Sequence, residues 1–337
     1  MNYQHLAAEE YIKKTICFGS STKFSGSQSL NVAYGIDKNF LFGCGISIAS
    51  ILLHNKSTGF IFHIFVDVVT EDELNKFSRL ASDNNTCIHI HIVNCDRLGK
   101  FPTTKNWSIA TYFRFIIGDY FIGKEERVLF MDADIMCKGS ISELATLPLE
   151  GNVAAVVPEK DASWWSKRAK GLDCPELKSG YFNAGFLLIN VSEWAKEYVS
   201  AKALAMLADK NIVSKLSYLD QDLLNMILVG EVIFIDGKYN TQFSINYELK
   251  PDFNNPIDDD TVLIHYIGPT KPWHYWACYD SAGSFMKAKI ASPWKDSPLL
   301  KPSNSNYARY CAKHNFKQGK PFAGLMSYIY YFYLRIF

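Results

Sequence analysis

Apolar residues recur along this chain in two alternating rhythms. A short run over residues 30–34 ends in Gly35-Ile36-Asp37 and predicts a first strand with its C-terminal loop. Residues 41–53 carry apolar side chains at helical spacing (Cys44, Ile48, Ile51, Leu52), and residues 60–66 form an Ile/Phe/Val-rich run that predicts a buried strand. A polar amphipathic helix follows over 71–83. Residues 87–93 then alternate Ile with His, which predicts a strand with one more exposed face. A helix is predicted over 109–121 and a strand over 127–131. Further strands are predicted over 153–157, 186–190, 232–235 and 262–265, with helices over 191–208 and 220–228. Strand and helix in alternation imply an α/β sheet built from parallel crossovers. No internal repeat is visible.

Both ends depart from this pattern. Residues 1–28 read as a polar, irregular N-terminal extension, with Ser20, Ser21, Ser25, Gly26 and Ser27 forming a linker-like stretch. Its opening residues reach Glu9, Glu10, Lys13 and Lys14 without an apolar core, so it is not a secretory signal. Residues 29–300 form the expected catalytic domain. Residues 301–337 mix Arg309, Lys313, Lys317, Lys320 and Arg335 with aromatic residues that include Tyr307, Tyr310, Phe322, Tyr328, Tyr330, Tyr331, Phe332 and Tyr333, and read as a helical tail lying on a membrane surface. A packed C-terminal helix is the plainer alternative. No uncharged apolar run approaches the roughly 20 residues needed to span a bilayer.

The 337 residues are 48% hydrophobic and 20% charged, which suits a folded chain with a substantial core. A formal net charge of +1 lacks the basic footprint of a nucleic-acid-binding protein. The eight cysteines include no C-x-x-C pair and several sit in apolar runs, which implies a reduced, cytoplasmic protein.

Candidate chemistry clusters at strand ends, where open α/β sheets bind ligands. Asp132 and Asp134 flank Ala133 directly after the 127–131 strand. Two carboxylates so placed can hold a divalent cation against a diphosphate; an N-cap or a turn would also use them. His265 closes another strand and opens the run His265 to Trp273. There Gly268 would admit a phosphate close to the backbone and Lys271 would offer it a point charge. The alternatives are a structural histidine and a solvated lysine. Asp220 and Asp222 in a first helical turn read, on spacing alone, as caps. Asn183 suits a turn, and Arg114, among aromatics on an apolar helix, needs an anionic partner, either a structural carboxylate or a substrate.

In order, these segments resemble the retaining glycosyltransferases of family 8. They are Ala33 to Phe40, Ala110 to Arg114, Leu129 to Asp134, Tyr181 to Gly185, Leu219 to Asp222 and His265 to Trp273. Thr104 to Ser108, Tyr239 to Phe243 and Asn246 to Lys250 further resemble the lipopolysaccharide core α-1,3-glucosyl- and α-1,3-galactosyltransferases of enteric bacteria. The resemblance implies a GT-A fold, with a single Rossmann-like mixed sheet flanked by helices. It implies a UDP-glucose or UDP-galactose donor and transfer to a glucosyl residue of the lipopolysaccharide outer core at the inner face of the inner membrane. Asp132, Asp134 and His265 match metal ligands, and one imidazole among oxygens favours Mn²⁺ over Mg²⁺. Ala33, Asp37 and Asn39 match uracil and ribose positions, Gly268 and Lys271 match diphosphate contacts, and Arg114, Asn183, Asp220 and Gln221 match positions around the donor sugar. A family 8 enzyme with a soluble acceptor and an inactive UDP-sugar-binding protein are the rival expectations.

Overall fold

The computed structural model describes residues 3–19, 29–98, 101–103 and 108–336. The linker-like stretch from Ser20 and the segment Thr104 to Trp107 lie outside the described residues.

An eight-stranded mixed sheet forms the centre, in the order β1-β4-β3-β2-β5-β8-β7-β9. Its strands are β1 Ile12–Phe18, β2 Leu30–Ile36, β3 Phe60–Val66, β4 Cys87–Val93, β5 Arg127–Met131, β7 Ala154–Pro158, β8 Phe182–Asn190 and β9 Val232–Phe234. The run from β4 through β3 and β2 to β5 is parallel, while β8 is antiparallel to both β5 and β7. Helices α1 (Leu41–His54) and α2 (Glu71–Asn84) make the crossovers between β2, β3 and β4.

Both faces of the sheet are covered, which is why its inner strands are apolar throughout rather than alternating. In β2, Leu30, Val32, Tyr34 and Ile36 enter one buried cluster with α1, whereas Ala33 faces the other, with α3 (Phe113–Tyr120). A second, three-stranded sheet joins β6 (Ile135–Cys137), β10 (Thr241–Gln242) and β11 (Leu263–His265).

Four local expectations are corrected. The N-terminal stretch is not wholly irregular, because Ile12–Phe18 pairs antiparallel with β4. The β4 face that carries His89 and His91 is largely covered rather than exposed: His91 is fully buried, with the coplanar His63 ring meeting it edge to edge, and His89 is half-buried. Phe182 to Gly185 belong to β8 itself, which bulges there against Val156 and Val157 of β7, rather than to a preceding loop. The expected helix over 191–208 is two helices, α5 (Val191–Lys196) and α6 (Val199–Ala208), broken at Tyr198 with φ +50°.

Helices α4 (Ala162–Leu172), α7 (Lys210–Val213) and α8 (Leu219–Ile227) complete the sheet's surroundings, and α9 (Gly283–Ile290) packs on α1. The chain ends in a helical hairpin, α10 (Ser305–Lys317) and α11 (Pro321–Ile336). α10 is anchored to the body: His314 bonds to Asn246 Oδ1 and Tyr279 Oη, and Gln318 donates to the Trp276 carbonyl. α11 packs on α10 through Gly324 and Ser327 and leaves Phe322, Leu325, Ile329, Phe332 and Ile336 exposed in one stripe. Among the described residues, no helix is long and apolar enough to cross a membrane.

Candidate functional site

The site lies where the two sheets meet. β5 is an apolar strand that ends at Met131; the chain then turns through Asp132-Ala133-Asp134 and re-emerges as β6. The turn is pinned at both ends. Asp132 N–H donates to the Gly185 carbonyl (2.8 Å) and Tyr266 N–H to the Asp134 carbonyl (3.0 Å). Because β6 pairs antiparallel with β11, His265 stands opposite Ile135 and faces both carboxylates.

His265 Nε2 lies 3.2 Å from Asp134 Oδ1 and 3.8 Å from Asp132 Oδ2. The other ring nitrogen, Nδ1, lies 2.9 Å from Asn240 Oδ1. Its tautomer follows from the backbone. Gly185 N–H donates to Asn183 Oδ1, Asn240 Nδ2 donates to that same oxygen (2.9 Å), and so Asn240 turns its own oxygen to the ring. Nδ1 therefore carries the proton, and a neutral His265 presents a bare Nε2 to the carboxylates. Asp134 Oδ1 is buried and accepts no hydrogen bond. Bare ligand atoms facing one another are satisfied by a proton or by a cation. Burial alone would lower His265, yet Asp134 and Asp132 outweigh it and raise its pKa. The three ligand atoms lie within 4.8 Å of one another, and two carboxylates with one imidazole suit a divalent cation such as Mn²⁺.

Arg114 supplies the opposite charge. Its Nε is 2.8 Å from Asp220 Oδ2, its Nη2 3.4 Å from Asp132 Oδ1, and its Nη1 donates to the Ala184 carbonyl at 2.6 Å. Its required anionic partner is thus a pair of carboxylates. Asp220 is not the cap that its spacing suggested: its carboxylate is buried against Arg114 and Thr111. The capping role falls to Asp222, which accepts from Ser217 and Tyr218 N–H at 2.8 and 2.7 Å. Burial pushes Asp220 up to about 6 despite the opposing pull of Arg114. Burial also raises Asp132, with Arg114 opposing it. At Asp134 burial again acts upward, but Lys271 and His265 prevail and hold the carboxyl below the ordinary range.

Lys271 does not stand free. Its ammonium pairs with Asp134 and donates to the Tyr266 carbonyl at 2.8 Å. Gly268 has φ +82°, a conformation that side-chain-bearing residues rarely adopt. Gln221 Oε1 accepts from Ala184 N–H (3.1 Å) and Asn183 Nδ2 (3.3 Å). Ala33 is buried in β2 opposite Phe130, one strand from the carboxylates. Asp37 and Asn39 follow β2, where Asp37 accepts from Asn39 N–H and from Ser108 Oγ. Ala133 is buried inside the carboxylate turn.

Two contributors escaped the residue-by-residue reading. Asn240, which orients His265, was visible only within the Tyr239 to Phe243 segment. Glu159 is buried and accepts from Asn183 Nδ2 at 2.8 Å. It follows the end of β7, the kind of position that marked Asp132. Next to Asn240 a groove of about 390 Å³ opens, lined also by Pro158, Lys160, Gln242 and Tyr247.

Residues 31–277 match glycosyl transferase family 8, and residues 279–335 match the family 8 C-terminal region. The chain belongs to glycosyl transferase family 8. It is 53% identical to the lipopolysaccharide glucosyltransferase WaaO of Escherichia coli, over 91% of each chain. It is 50% identical to the lipopolysaccharide 1,3-galactosyltransferase of Salmonella typhimurium, over 96% of each. The fold is that of the galactosyltransferase LgtC, solved in complex with donor and acceptor sugar analogues. That match has a TM-score of 0.64 and 22% identity, and covers 81% of this chain and 98% of LgtC. The α/β architecture with its mixed sheet and flanking helices is therefore a GT-A-like fold, as the family 8 resemblance implied.

Proposed function

We propose that this chain is a retaining hexosyltransferase that moves glucose or galactose from a UDP-sugar to a glucosyl residue of the lipopolysaccharide outer core, forming an α-1,3 linkage. The observation that carries the proposal is the convergence of Asp132, Asp134 and the bare Nε2 of His265 beside the Arg114–Asp220 pair. The relatives named above are lipopolysaccharide transferases, and they support the choice of acceptor.

Enzymes of the family use UDP-sugar donors, typically with a divalent metal. Asp132, Asp134 and His265 would hold that ion, Mn²⁺ by the chemistry of the donor set. When bound it supplies Lewis-acid stabilisation of the departing diphosphate. Lys271, released from Asp134, shares the charge on that diphosphate, and the positive-φ turn at Gly268 brings backbone close to it. Ala33, Asp37 and Asn39 receive the uracil and ribose at the end of β2. Arg114 and Asp220 hold the donor sugar, with Asn183 and Gln221 beside them.

Retention requires either an enzyme nucleophile or attack on the face that the leaving group vacates. Gln221 Oε1 already accepts two hydrogen bonds, and an amide is a poor nucleophile, so Gln221 serves to position the sugar. Same-face attack follows, with the acceptor entering along the groove beside Asn240 and Tyr247. A covalent sugar adduct trapped on the unmodified enzyme would overturn this mechanism.

The C-terminal hairpin is the proposed membrane contact. The apolar stripe of α11 is exposed, and Lys313, Lys317, Lys320 and Arg335 are exposed on the same hairpin. Such a surface suits the anionic inner face of the membrane where the acceptor is built. Flotation with anionic liposomes should recover the full chain and lose a chain ending at Pro302; equal recovery refutes the contact.

The assignment itself is tested by UDP release with Mn²⁺, using UDP-glucose or UDP-galactose, with and without truncated lipopolysaccharide. Release that needs both the metal and the lipid acceptor supports the proposal, and the preferred donor names the sugar. No release with either donor reassigns the chain to a different acceptor or to sugar-nucleotide binding without transfer.

A further inference from the structure

Three histidines that take no part in the transfer chemistry converge on the face of the main sheet that packs against α3. His63 of β3 stands opposite His89 of β4 in the parallel register, and His91 follows two residues on. Residues opposite one another, or two apart on a strand, project from the same face, so the backbone fixes all three rings toward one point. One ring nitrogen from each lies within 4.8 Å of the other two.

The distances suit a cation. His63 Nδ1 and His91 Nε2 are 3.2 Å apart. Two nitrogens bound tetrahedrally at about 2.0–2.1 Å from zinc lie roughly 3.3–3.4 Å from each other. The far nitrogens are also provided for: His63 Nε2 is 3.1 Å from Asn31 Oδ1, and His91 Nδ1 is 2.9 Å from Thr15 Oγ1. Metal-bound histidines need such an oxygen acceptor at the second nitrogen to fix ring and tautomer. At present one proton joins His63 to His91. If His91 takes its other tautomer and donates from Nδ1 to Thr15, its Nε2 is freed; the two lone pairs then face one another across 3.2 Å, and a modest turn of each ring brings both onto a cation beside them.

The surroundings favour neutral, ligand-ready rings. Phe65, Tyr120 and Phe121 pack around them. The nearby charged group is Lys124, whose ammonium is paired with Glu9. Burial holds His63 and His89 below the ordinary histidine range and His91 at about 3. His63 and His91 are buried, while His89 is half-buried and gives access from outside.

We propose that His63, His89 and His91 form a second metal site, for a zinc-class divalent ion, independent of Asp132, Asp134 and His265. All-imidazole donors select zinc-class ions over Mn²⁺ and Mg²⁺, the opposite preference to the carboxylate site. Bound there, the ion cross-links β3 to β4. The role is structural, and water completes the coordination.

The test uses a full-length chain carrying Asp132→Asn, Asp134→Asn and His265→Gln, which removes the first site. Stripped of metal and titrated with Zn²⁺ alone, it should bind one equivalent and melt at a higher temperature, and excess Mn²⁺ should not compete. Co²⁺ in place of Zn²⁺ should give the intense visible absorption of a tetrahedral site. Adding His89→Gln, at a half-buried position, should abolish both effects while leaving the metal-free melting temperature unchanged. Ring-nitrogen NMR of the unmodified protein during the Zn²⁺ titration gives a readout that needs no variant: His63 Nδ1 and His91 Nε2 should move to metal-bound shifts. Absence of a zinc equivalent, equal zinc binding by the His89→Gln chain, or unmoved ring nitrogens would each overturn the proposal.

Discussion

His265 takes its orientation from Asn240. The ring's Nδ1 is 2.9 Å from Asn240 Oδ1, and Asn240 is locked in turn by Asn183, whose oxygen accepts from the Gly185 backbone. Four residues from two strands and a turn thus decide which nitrogen of one imidazole is bare. Replacing Asn240 with Leu should lower divalent-metal affinity by about 10–100-fold, the usual cost of losing such an orienting partner. Asn240→Asp keeps an acceptor for Nδ1 and should fall between. Calorimetric Mn²⁺ titration measures both, and an unchanged affinity in Asn240→Leu would refute the orienting role.

Gly185 is the second structural demand. A Cβ there would lie 2.5 Å from His265 Cε1 and 2.8 Å from Asp132 Oδ2. Neither neighbour can retreat, because both are pinned by the turn and by Asn240. Gly185→Ala should therefore abolish UDP release while far-UV circular dichroism stays that of the parent. Activity within a few-fold of the parent would show that the cluster has room to shift.

Arg114 compensates the buried Asp220 carboxylate and the half-buried Asp132 at once. Arg114→Met leaves Asp220 and Asp132 without that charge, and breaking a buried pair in this way costs about 3–5 kcal/mol. Urea unfolding should report the loss, and adding Asp220→Leu should recover part of it. A double variant less stable than the single one would contradict this account.

Asp220 also sets a pH dependence. Its carboxyl is raised from 3.8 to about 6, by burial first of all. Between those values the folded, metal-free protein holds a proton that the unfolded chain has released. The group's contribution is therefore most favourable below the window and is lost as pH rises through it, by about 3 kcal/mol in all. The stability of the parent relative to Asp220→Asn, from urea midpoints, should fall as pH rises across this range. A difference independent of pH would refute the raised pKa.

Much of this site could be read in advance because its parts sit at the ends of apolar strands. Met131 running into Asp132, and Ile264 into His265, are abrupt changes from apolar to titratable positions. β1 was hidden because Lys13, Lys14 and Thr15 interrupt its apolar pattern, as suits an edge strand with one exposed face. Phe182 to Gly185 looked like a loop because Asn183, Ala184 and Gly185 are poor strand formers; their side chains, or lack of them, answer to the site rather than to the sheet. Asp220 and Asp222 are indistinguishable by spacing in a first helical turn, and only the packing of α8 against Arg114 on one side and Arg168 on the other separates them. The helix break at Tyr198 carries no glycine or proline to announce it.

The Lys271–Asp134 pair has a consequence for the order of events. Arg114 is shared between Asp220 and Asp132, whereas Asp134 is paired with Lys271. An incoming cation must take Asp134 from Lys271, and the displaced ammonium is then left seeking an anion. A nucleotide diphosphate is such an anion, and it in turn gains from the cation. At the proposed site each arrival would remove the penalty of the other, and the two should bind with positive, reciprocal coupling. The metal-free chain carries its own counter-ion, and that counter-ion should make it discriminate against either ligand alone.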